Sequence, residues 1–436
     1  MTNADSRTTV VIPSWNSLEY LPRCLDALAA TAPDTPIVVV DNGSEDGTTA
    51  WIRAHAPQVH LIANASNEGF GAACNRGADA ATTPWVCFLN ADAFVEPGWL
   101  AALHQQIAAT PRAGIAVPMY LNMDGTLQEA GGLLTADGNG VLHGFGDNPD
   151  RLRYRFPRLV DYGSAACLLI ERATFAKLNG FDVATYGLAY YEDADLCLRA
   201  AASDIFTVYA PAARVVHARN VSSSAEAINH LLNRNRDLFT KHWRHLLDRR
   251  PSAEAMDQER HLPIFARDAD RFPRVLVLAR DVPSPENESG QALLHVVDQI
   301  PGGRITIAAD SPASEELAMR WCAAGLEIGD HLDDWYGWIR DRVAFYDVAI
   351  ALDEQGYNRF GAIVELTQSQ CARFVVPGST GAGRWRPFHR VQHPTLLSAP
   401  PRQPWHAVTL ASLAEAIAGT LPAERGNPAP DALPID

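Results

Sequence analysis

Four short apolar runs constrain the N-terminal half of this chain more than any other feature. Residues 9–12, 37–40, 59–62 and 85–89 are short stretches of β-branched, aliphatic and aromatic residues with His60 the one charged-type interruption, and helix-forming segments separate them. The first of these segments places Leu18, Leu21, Leu25 and Leu28 at helical spacing; later ones run through Trp51 and Ile52 and over 72–81. Strands apolar on both faces and alternating with helices predict a parallel sheet covered on both sides. Each run ends in small polar residues: Ser14 and Asn16, Asp41 and Asn42, Asn64 and Asn67, Asn90 and Asp92. One such end reads as a turn or a helix cap. Four together predict a polar rim at the edge where ligands bind open α/β sheets.

Length and charge narrow the class. A chain of 436 residues predicts more than one domain. The hydrophobic content of 47% and charged content of 20% describe a globular protein with ample core. A formal net charge of -15 argues against nucleic-acid partners and against an anionic membrane surface. The seven cysteines are scattered without a C-x-x-C pair, which predicts buried free thiols in a reducing cytoplasm. Residues 1–7 carry no signal-peptide core, and no apolar run reaches the ~20 residues of a membrane span. The expected location is cytoplasmic, with peripheral association at the inner face of the membrane compatible with it.

Further along, Gly131-Gly132 and 137–140 read as hairpin turns, and 222–250 as a long Arg-rich helix. A polar stretch at 251–272 reads as a linker. New strands follow at 274–279, 304–308, 347–352 and 373–376, with helices between. The predicted organisation is a first domain over 1–250, a smaller Rossmann-like α/β domain over 273–400, and a Pro-rich, partly disordered tail over 401–436, disordered from Pro422 on.

The stretches VVIPSWN (10–16), VVVDNGSEDGT (38–48), NEGFGAACNRG (67–77), FLNADA (88–93), GFD (180–182), YEDADLCLR (191–199) and His217 occur in the order of an inverting glycosyltransferase of family 2. The chain resembles the rhamnosyltransferase-like branch of that family over about 8–245. The resemblance implies a GT-A fold with a central, mostly parallel sheet, a UDP- or dTDP-linked sugar donor (dTDP-rhamnose among the candidates) and a divalent cation, Mg²⁺ or Mn²⁺. It implies a glycan or lipid-linked glycan acceptor of the cell envelope. Asp41 corresponds to the residue that accepts from a uracil or thymine N3–H; on its own chemistry it equally suits a helix cap. Pro13, Ser14 and Asn16 would pack under base and ribose. Gly69 and Gly71 would let the nucleotide approach, or serve helix packing alone, and Asn75 would bond ribose or phosphate.

Asn90-Ala91-Asp92 takes the place of the family's D-x-D motif. Asp92 would supply the oxygen a hard cation prefers, while Asn90 would bond ribose or phosphate. His217 would complete the coordination, although a lone histidine can also be purely structural. Glu192, Asp193 and Asp195 open a helix, where acids suit the dipole. The resemblance implies that one of them takes the acceptor proton; Asp193 is the expected base and Glu192 its neighbour or alternate. Asp195 would hold a backbone or acceptor group. Arg234, Asn235 and Arg236 resemble an Arg-Asn element that would steer diphosphate or a phosphorylated acceptor, or form a solvated basic face. Gly163-Ser164-Ala165 would floor the acceptor pocket.

The segment PSPENESGQ (283–291) resembles the N-terminal half of a GT-B glycosyltransferase, with Gly290 opening a helix. Lacking the donor-binding half, this unit reads as an acceptor-side or interaction module. Two further functions remain open at this stage. One is a non-catalytic binder of nucleotide sugar or of a partner, favoured by loss of the first D-x-D acid. The other is a nucleotidyltransferase, disfavoured because no Gly-rich loop with a basic residue lies near Ser14.

Overall fold

The computed structural model describes residues 7–110, 112–219, 225–248, 250–254, 272–300, 303–329, 338, 342, 345–367, 371–376 and 405–420. These residues fall into two compact units. One comprises 1–150 and 157–255, the other 151–156 and 256–436. Most of the linker expected at 251–272, and the tail from Pro422, lie outside the described residues.

The first unit begins with β1 (Thr8–Ser14), α1 (Leu21–Thr31), β2 (Ile37–Asp41), α2 (Thr48–His55), β3 (His60–Ala63), α3 (Phe70–Ala80) and β4 (Trp85–Leu89). β1 pairs in parallel with both β2 and β4, and β2 pairs in parallel with β3. Continuous apolar runs form β1, β2 and β4 because both faces are covered, while β3 at the sheet edge is partly exposed. Val10, Ile12, Val39, Cys87 and Leu89 pack with Leu21, Leu25 and Leu28 of α1 on one side. Val11, Val86 and Phe88 pack with Cys74, Ala78 and Leu196 on the other. Since β1 sits between β2 and β4, the C-terminal ends of these three strands converge on one edge.

Beyond β4 come β5 (Ala93–Val95), α4 (Trp99–Ala109), β6 (Ala113–Leu121), β7 (Leu127–Glu129), β8 (Gly132–Leu134), β9 (Gly140–Leu142), β10 (Arg158–Val160), β11 (Cys167–Glu171), α5 (Arg172–Lys177), α6 (Val183–Tyr186), α7 (Glu192–Ala202), β12 (Phe206–His217) and α8 (Ala225–Leu247). The main sheet runs β10-β12-β6-β11-β4-β1-β2-β3, with β5 on β12 and β7 on β6. The parallel N-terminal core is thus extended by antiparallel strands, β11 pairing antiparallel with both β4 and β6. Of the two expected hairpin turns, only the one around 137–140 is a hairpin, joining β8 to β9. At Gly131-Gly132 the flanking strands diverge, because β7 pairs with β6 instead.

The second unit contains β13 (Arg274–Ala279), α9 (Glu288–Gln299), β14 (Arg304–Ala309), α10 (Glu315–Ala323), β15 (Glu327–Ile328), β16 (Val348–Ala351), α11 (Glu354–Thr367), β17 (Ala372–Val375), β18 (Trp405–Ala407) and α12 (Leu413–Thr420). Its sheet runs β15-β14-β13-β16-β17-β18 with every pairing parallel. That is the Rossmann strand order. Two segments join this unit contrary to expectation. Residues 405–420, assigned by composition to the tail, supply the edge strand β18 and the helix α12, whose Leu413 and Ile417 are fully buried. Phe156, expected in the first domain, is fully buried in this second core beneath the Arg304 guanidinium.

All seven cysteines are free and buried. Among the described residues, no helix is long and apolar enough to cross a membrane.

Candidate active site

At the end of β1, Ser14 is buried and its hydroxyl has no hydrogen-bond partner among the described residues. An unmet buried hydroxyl is costly unless a ligand or water satisfies it. The chain then turns through Asn16, whose φ of 51° is left-handed. Asn16 Oδ1 accepts from the Glu45 N–H at 2.9 Å, and its own N–H donates to Ser44 Oγ at 2.8 Å. Asp41, at the end of β2, accepts from Ser44 Oγ (2.5 Å), the Ser44 N–H (3.2 Å) and Thr49 Oγ1 (2.6 Å). The carboxylate therefore braces its own loop, and three of its roughly four lone-pair sites are occupied.

The loop before α3 is built from three amides. Asn64 Nδ2 donates to Asn42 Oδ1 (2.8 Å), Asn42 Nδ2 to the Gly69 carbonyl (3.0 Å), and the Gly69 N–H to Asn67 Oδ1 (2.9 Å). Gly69 has φ of 97°, and a Cβ there would lie 2.8 Å from Leu188 Cα. Glycine is needed for both reasons. Asn75 differs from its expected role in binding ribose or phosphate. Its Nδ2 donates to the Phe181 carbonyl and its Oδ1 accepts from the Phe181 N–H, both at 2.9 Å. Both ends of the amide are occupied in holding the GFD turn.

Asp92 and His217 are 125 positions apart in sequence, and strand pairing brings them together. β5 lies antiparallel on β12 with Ala93 opposite His217, and the Ala218 N–H donates to the Asp92 carbonyl at 3.0 Å. Asp92 Oδ1 then stands 3.4 Å from His217 Nε2, with both side chains nearly buried. Asn90 Nδ2 lies 3.3 Å from the same ring nitrogen.

Gln128 on β7, which sequence reasoning missed, sets the tautomer. Its Nε2 donates to the His217 carbonyl (2.9 Å) and to Asn122 Oδ1 (3.1 Å), so its Oε1 is the atom facing His217 Nδ1 at 2.9 Å. Nδ1 therefore carries the proton, and Nε2 accepts from Asn90 Nδ2 (3.3 Å) while lying beside the Asp92 carboxylate. One carboxylate oxygen and one imidazole nitrogen, oriented by a supporting amide, fit a divalent cation whose other positions come from phosphate and water. No cluster of three or more His, Cys, Asp or Glu ligands exists among the described residues, so a closed structural metal site is not formed there.

The three acids of α7 separate by environment. Asp195 is buried and accepts from Arg199 Nε (2.7 Å), Trp243 Nε1 (3.0 Å) and the Tyr186 hydroxyl (3.2 Å). It anchors α7 to α8 and α6 through side-chain donors, where a backbone or acceptor group was expected. Glu192 is buried, its Oε2 has no partner among the described residues, and burial followed by the Asp193 charge pushes its carboxyl up to about 8. Asp193 is half-buried and accepts from the Ala194 N–H (2.8 Å) and the Ala165 N–H (3.2 Å). Burial raises its pKa while these backbone donors oppose the rise.

A fourth acid, Glu129, follows Gln128 on β7. It is buried, its Oε1 lacks a partner among the described residues, and burial with the Asp193 charge pushes it up to about 8. Asp193 receives more backbone N–H donors than Glu192 or Glu129, and these favour its ionised form, so it is the member of the cluster best able to carry the negative charge.

The Arg-Asn element does not act as one group. Asn235 is fully buried beneath the 186–190 loop. Arg234 donates to Asn235 Oδ1 (2.7 Å) and to the Thr185 carbonyl (3.3 Å). Arg236 donates to Asn139 Oδ1 (3.3 Å) and lines a hollow of about 470 Å³ with Asp137, Asp237, Thr240, Lys241 and Arg244.

Residues 9–174 match the family model described as "Glycosyl transferase family 2". The chain is 29% identical over 253 residues to an N-acetylglucosaminyl-diphospho-decaprenol L-rhamnosyltransferase of Mycobacterium tuberculosis (strain ATCC 25618 / H37Rv), an alignment covering 53% of this chain and 82% of that protein. It is 39% identical over 88 residues to a PGL/p-HBAD biosynthesis glycosyltransferase of Mycobacterium bovis (strain BCG / Pasteur 1173P2), covering 19% of this chain and 34% of that protein. Among solved structures, it resembles GalNAc-T7 with UDP, GalNAc and Mn²⁺ (19% identity, TM-score 0.41, 50% of this chain and 45% of that one). It also resembles the mannosyltransferase PcManGT from Pyrobaculum calidifontis with GDP-Man and Mn²⁺ (18% identity, TM-score 0.37, 56% and 71%).

Proposed function

We propose that this chain, whose residues 9–174 match the family 2 glycosyltransferase model, moves a sugar, with inversion, from a UDP- or dTDP-linked donor to a hydroxyl of a lipid-linked glycan. The observation that carries this reading is the His217 Nε2 atom placed 3.4 Å from Asp92 Oδ1 at the strand edge. The rhamnosyltransferase relative, which matches most of its own length, supports dTDP-rhamnose as the first donor to try.

The geometry supports the following roles. Ser14, Asp41 and the Gly69 loop form the side that takes base, ribose and diphosphate. Asp92 and His217 would hold a divalent cation, which would neutralise the departing diphosphate when bound. Asn90 offers its amide to the same phosphates. Asp193, the ionised member of the acid cluster, takes the proton of the acceptor hydroxyl as that oxygen attacks the anomeric carbon. Burial favours the neutral form of Glu192 and Glu129, and in that form they can donate hydrogen bonds to acceptor hydroxyls. A positioned base of this kind contributes about 10²–10⁴ in rate.

The test is a panel of UDP-, dTDP- and GDP-sugars scored for thermal stabilisation with and without Mn²⁺, followed by transfer assays on the best donor. Stabilisation by a UDP- or dTDP-sugar only when the metal is present supports the reading. Equal stabilisation in chelator would remove Asp92 and His217 from their proposed roles.

A further inference from the structure

Two consecutive aromatic residues, Tyr190 and Tyr191, hold φ of 75° and 74°. Bulky L-residues avoid that region, and such outliers persist only where surrounding structure enforces them. They immediately precede Glu192 and Asp193. The enforcing group is Asn235. Its Nδ2 donates to the carbonyls of Tyr186 (2.8 Å), Ala189 (2.8 Å) and Tyr190 (3.0 Å), while its Oδ1 accepts from Arg234. Two amide hydrogens thus serve three carbonyls of one short loop.

The same loop is tied on its other side to the glycine loop. The Phe70 N–H donates to the Leu188 carbonyl at 2.7 Å, and Gly69 leaves room for no side chain against Leu188. Tyr191 is fixed in turn. Its hydroxyl donates to the Gly138 carbonyl (3.0 Å), its ring packs on Phe239, and its carbonyl accepts from the Asp195 N–H (2.9 Å) to open α7.

We propose that Asn235 is a positioning residue for transfer. It locks Tyr190 and Tyr191 in the left-handed conformation that aims Glu192 and Asp193 at the acceptor, and it ties that aim to the glycine loop on the donor side. The inference rests on the glycosyl-transfer reading for its catalytic consequence, but the clamp itself is a property of the loop. Removing the amide leaves three carbonyls competing for no donor, and the two tyrosines relax toward negative φ. The acids then swing away while the strand-end residues stay in place. A displacement of about 1 Å at a reacting group can cost about 10²-fold in rate.

The experiment uses the full chain with Asn235→Ala, Asn235→Ser, Tyr190→Gly and the Asn235→Ala/Tyr190→Gly pair. Three readouts are taken: amide hydrogen exchange over 187–195, calorimetric affinity for dTDP with Mn²⁺, and kcat with dTDP-rhamnose and a lipid-diphosphate N-acetylglucosamine acceptor. Asn235→Ala is expected to speed exchange at 187–193 and to lower kcat by about 10–100-fold, with dTDP affinity within about twofold of wild type. Asn235→Ser keeps one donor and falls between; it also reads the effect if the alanine variant does not fold. Glycine carries no penalty at positive φ, so the double variant should turn over at least about threefold faster than Asn235→Ala. A merely structural asparagine would not be rescued in that way.

Unchanged exchange, a double variant no faster than Asn235→Ala, or a dTDP affinity that falls in step with kcat would each overturn the proposal. If the wild type transfers from no donor, the glycosyl-transfer reading fails instead, and the exchange pattern alone decides whether the clamp exists.

Discussion

Gln128→Met is the change that most sharply tests how the proposed cation site is built. Methionine matches the length of glutamine and carries no donor or comparable acceptor. The substitution removes three hydrogen bonds: to His217 Nδ1 (2.9 Å), to the His217 carbonyl (2.9 Å) and to Asn122 (3.1 Å). Each unmet, mostly buried group costs about 1–3 kcal/mol, so a fall in thermal stability is expected. The informative effect is on the metal. Without an acceptor at Nδ1 the ring is free to rotate or to take the other tautomer, and Nε2 no longer presents a fixed lone pair beside Asp92. Loss of such a supporting partner weakens metal binding about 10–100-fold, or roughly 1.4–2.7 kcal/mol. Mn²⁺ titrated into the protein–dTDP complex, followed by calorimetry, reads this directly. Gln128→Glu, which keeps an acceptor for Nδ1–H, should lose less. Wild-type Mn²⁺ affinity in Gln128→Met would refute the tautomer argument.

Asp92→Ala should weaken dTDP affinity and abolish its response to Mn²⁺ together; calorimetry that shows the metal response intact would exclude the carboxylate from the site. Asp195→Ala removes the shared acceptor of Arg199, Trp243 and Tyr186, and should destabilise the first unit by about 3 kcal/mol or more, read as a lowered thermal midpoint. Burial and the Asp193 charge push Glu129 and Glu192 up to about 8 in the fold from 4.5 in the reference state. The folded protein therefore holds more protons than the unfolded chain between about pH 4.5 and 8, and these groups make stability fall as pH rises through that window. Glu129→Gln should reduce the fall between pH 5 and 8 in a series of melts; an unaltered slope would mean that Glu129 is ionised in the fold.

What could be read from the sequence, and what could not, follows from physical distinctions. A parallel strand buried on both faces must be continuously apolar, so β1, β2 and β4 and their polar ends stand out. The pairing of Asp92 with His217 was anticipated only through resemblance, because it depends on β5 lying on β12. Gln128 and Glu129 occupy a three-residue strand with no periodicity, and no local pattern marks them. Motif position did not separate residues that face a ligand from those that hold a neighbour. Asn75 grips Phe181, Asp195 grips Trp243 and Asn235 grips the 186–190 loop. In the second unit, β18 is a three-residue edge strand beyond a Pro-rich stretch, and composition gave no sign that Trp405–Ala407 completes the sheet.

The most direct test of the central claim is the turnover of Asp193→Asn alongside its dTDP affinity in Mn²⁺. The asparagine keeps the shape of the side chain but cannot accept a proton from the acceptor hydroxyl. The account predicts wild-type nucleotide affinity with transfer reduced by at least about 10²-fold. Retention of more than about a tenth of wild-type turnover would contradict it, since no group worth 10²–10⁴ in rate could then reside at Asp193.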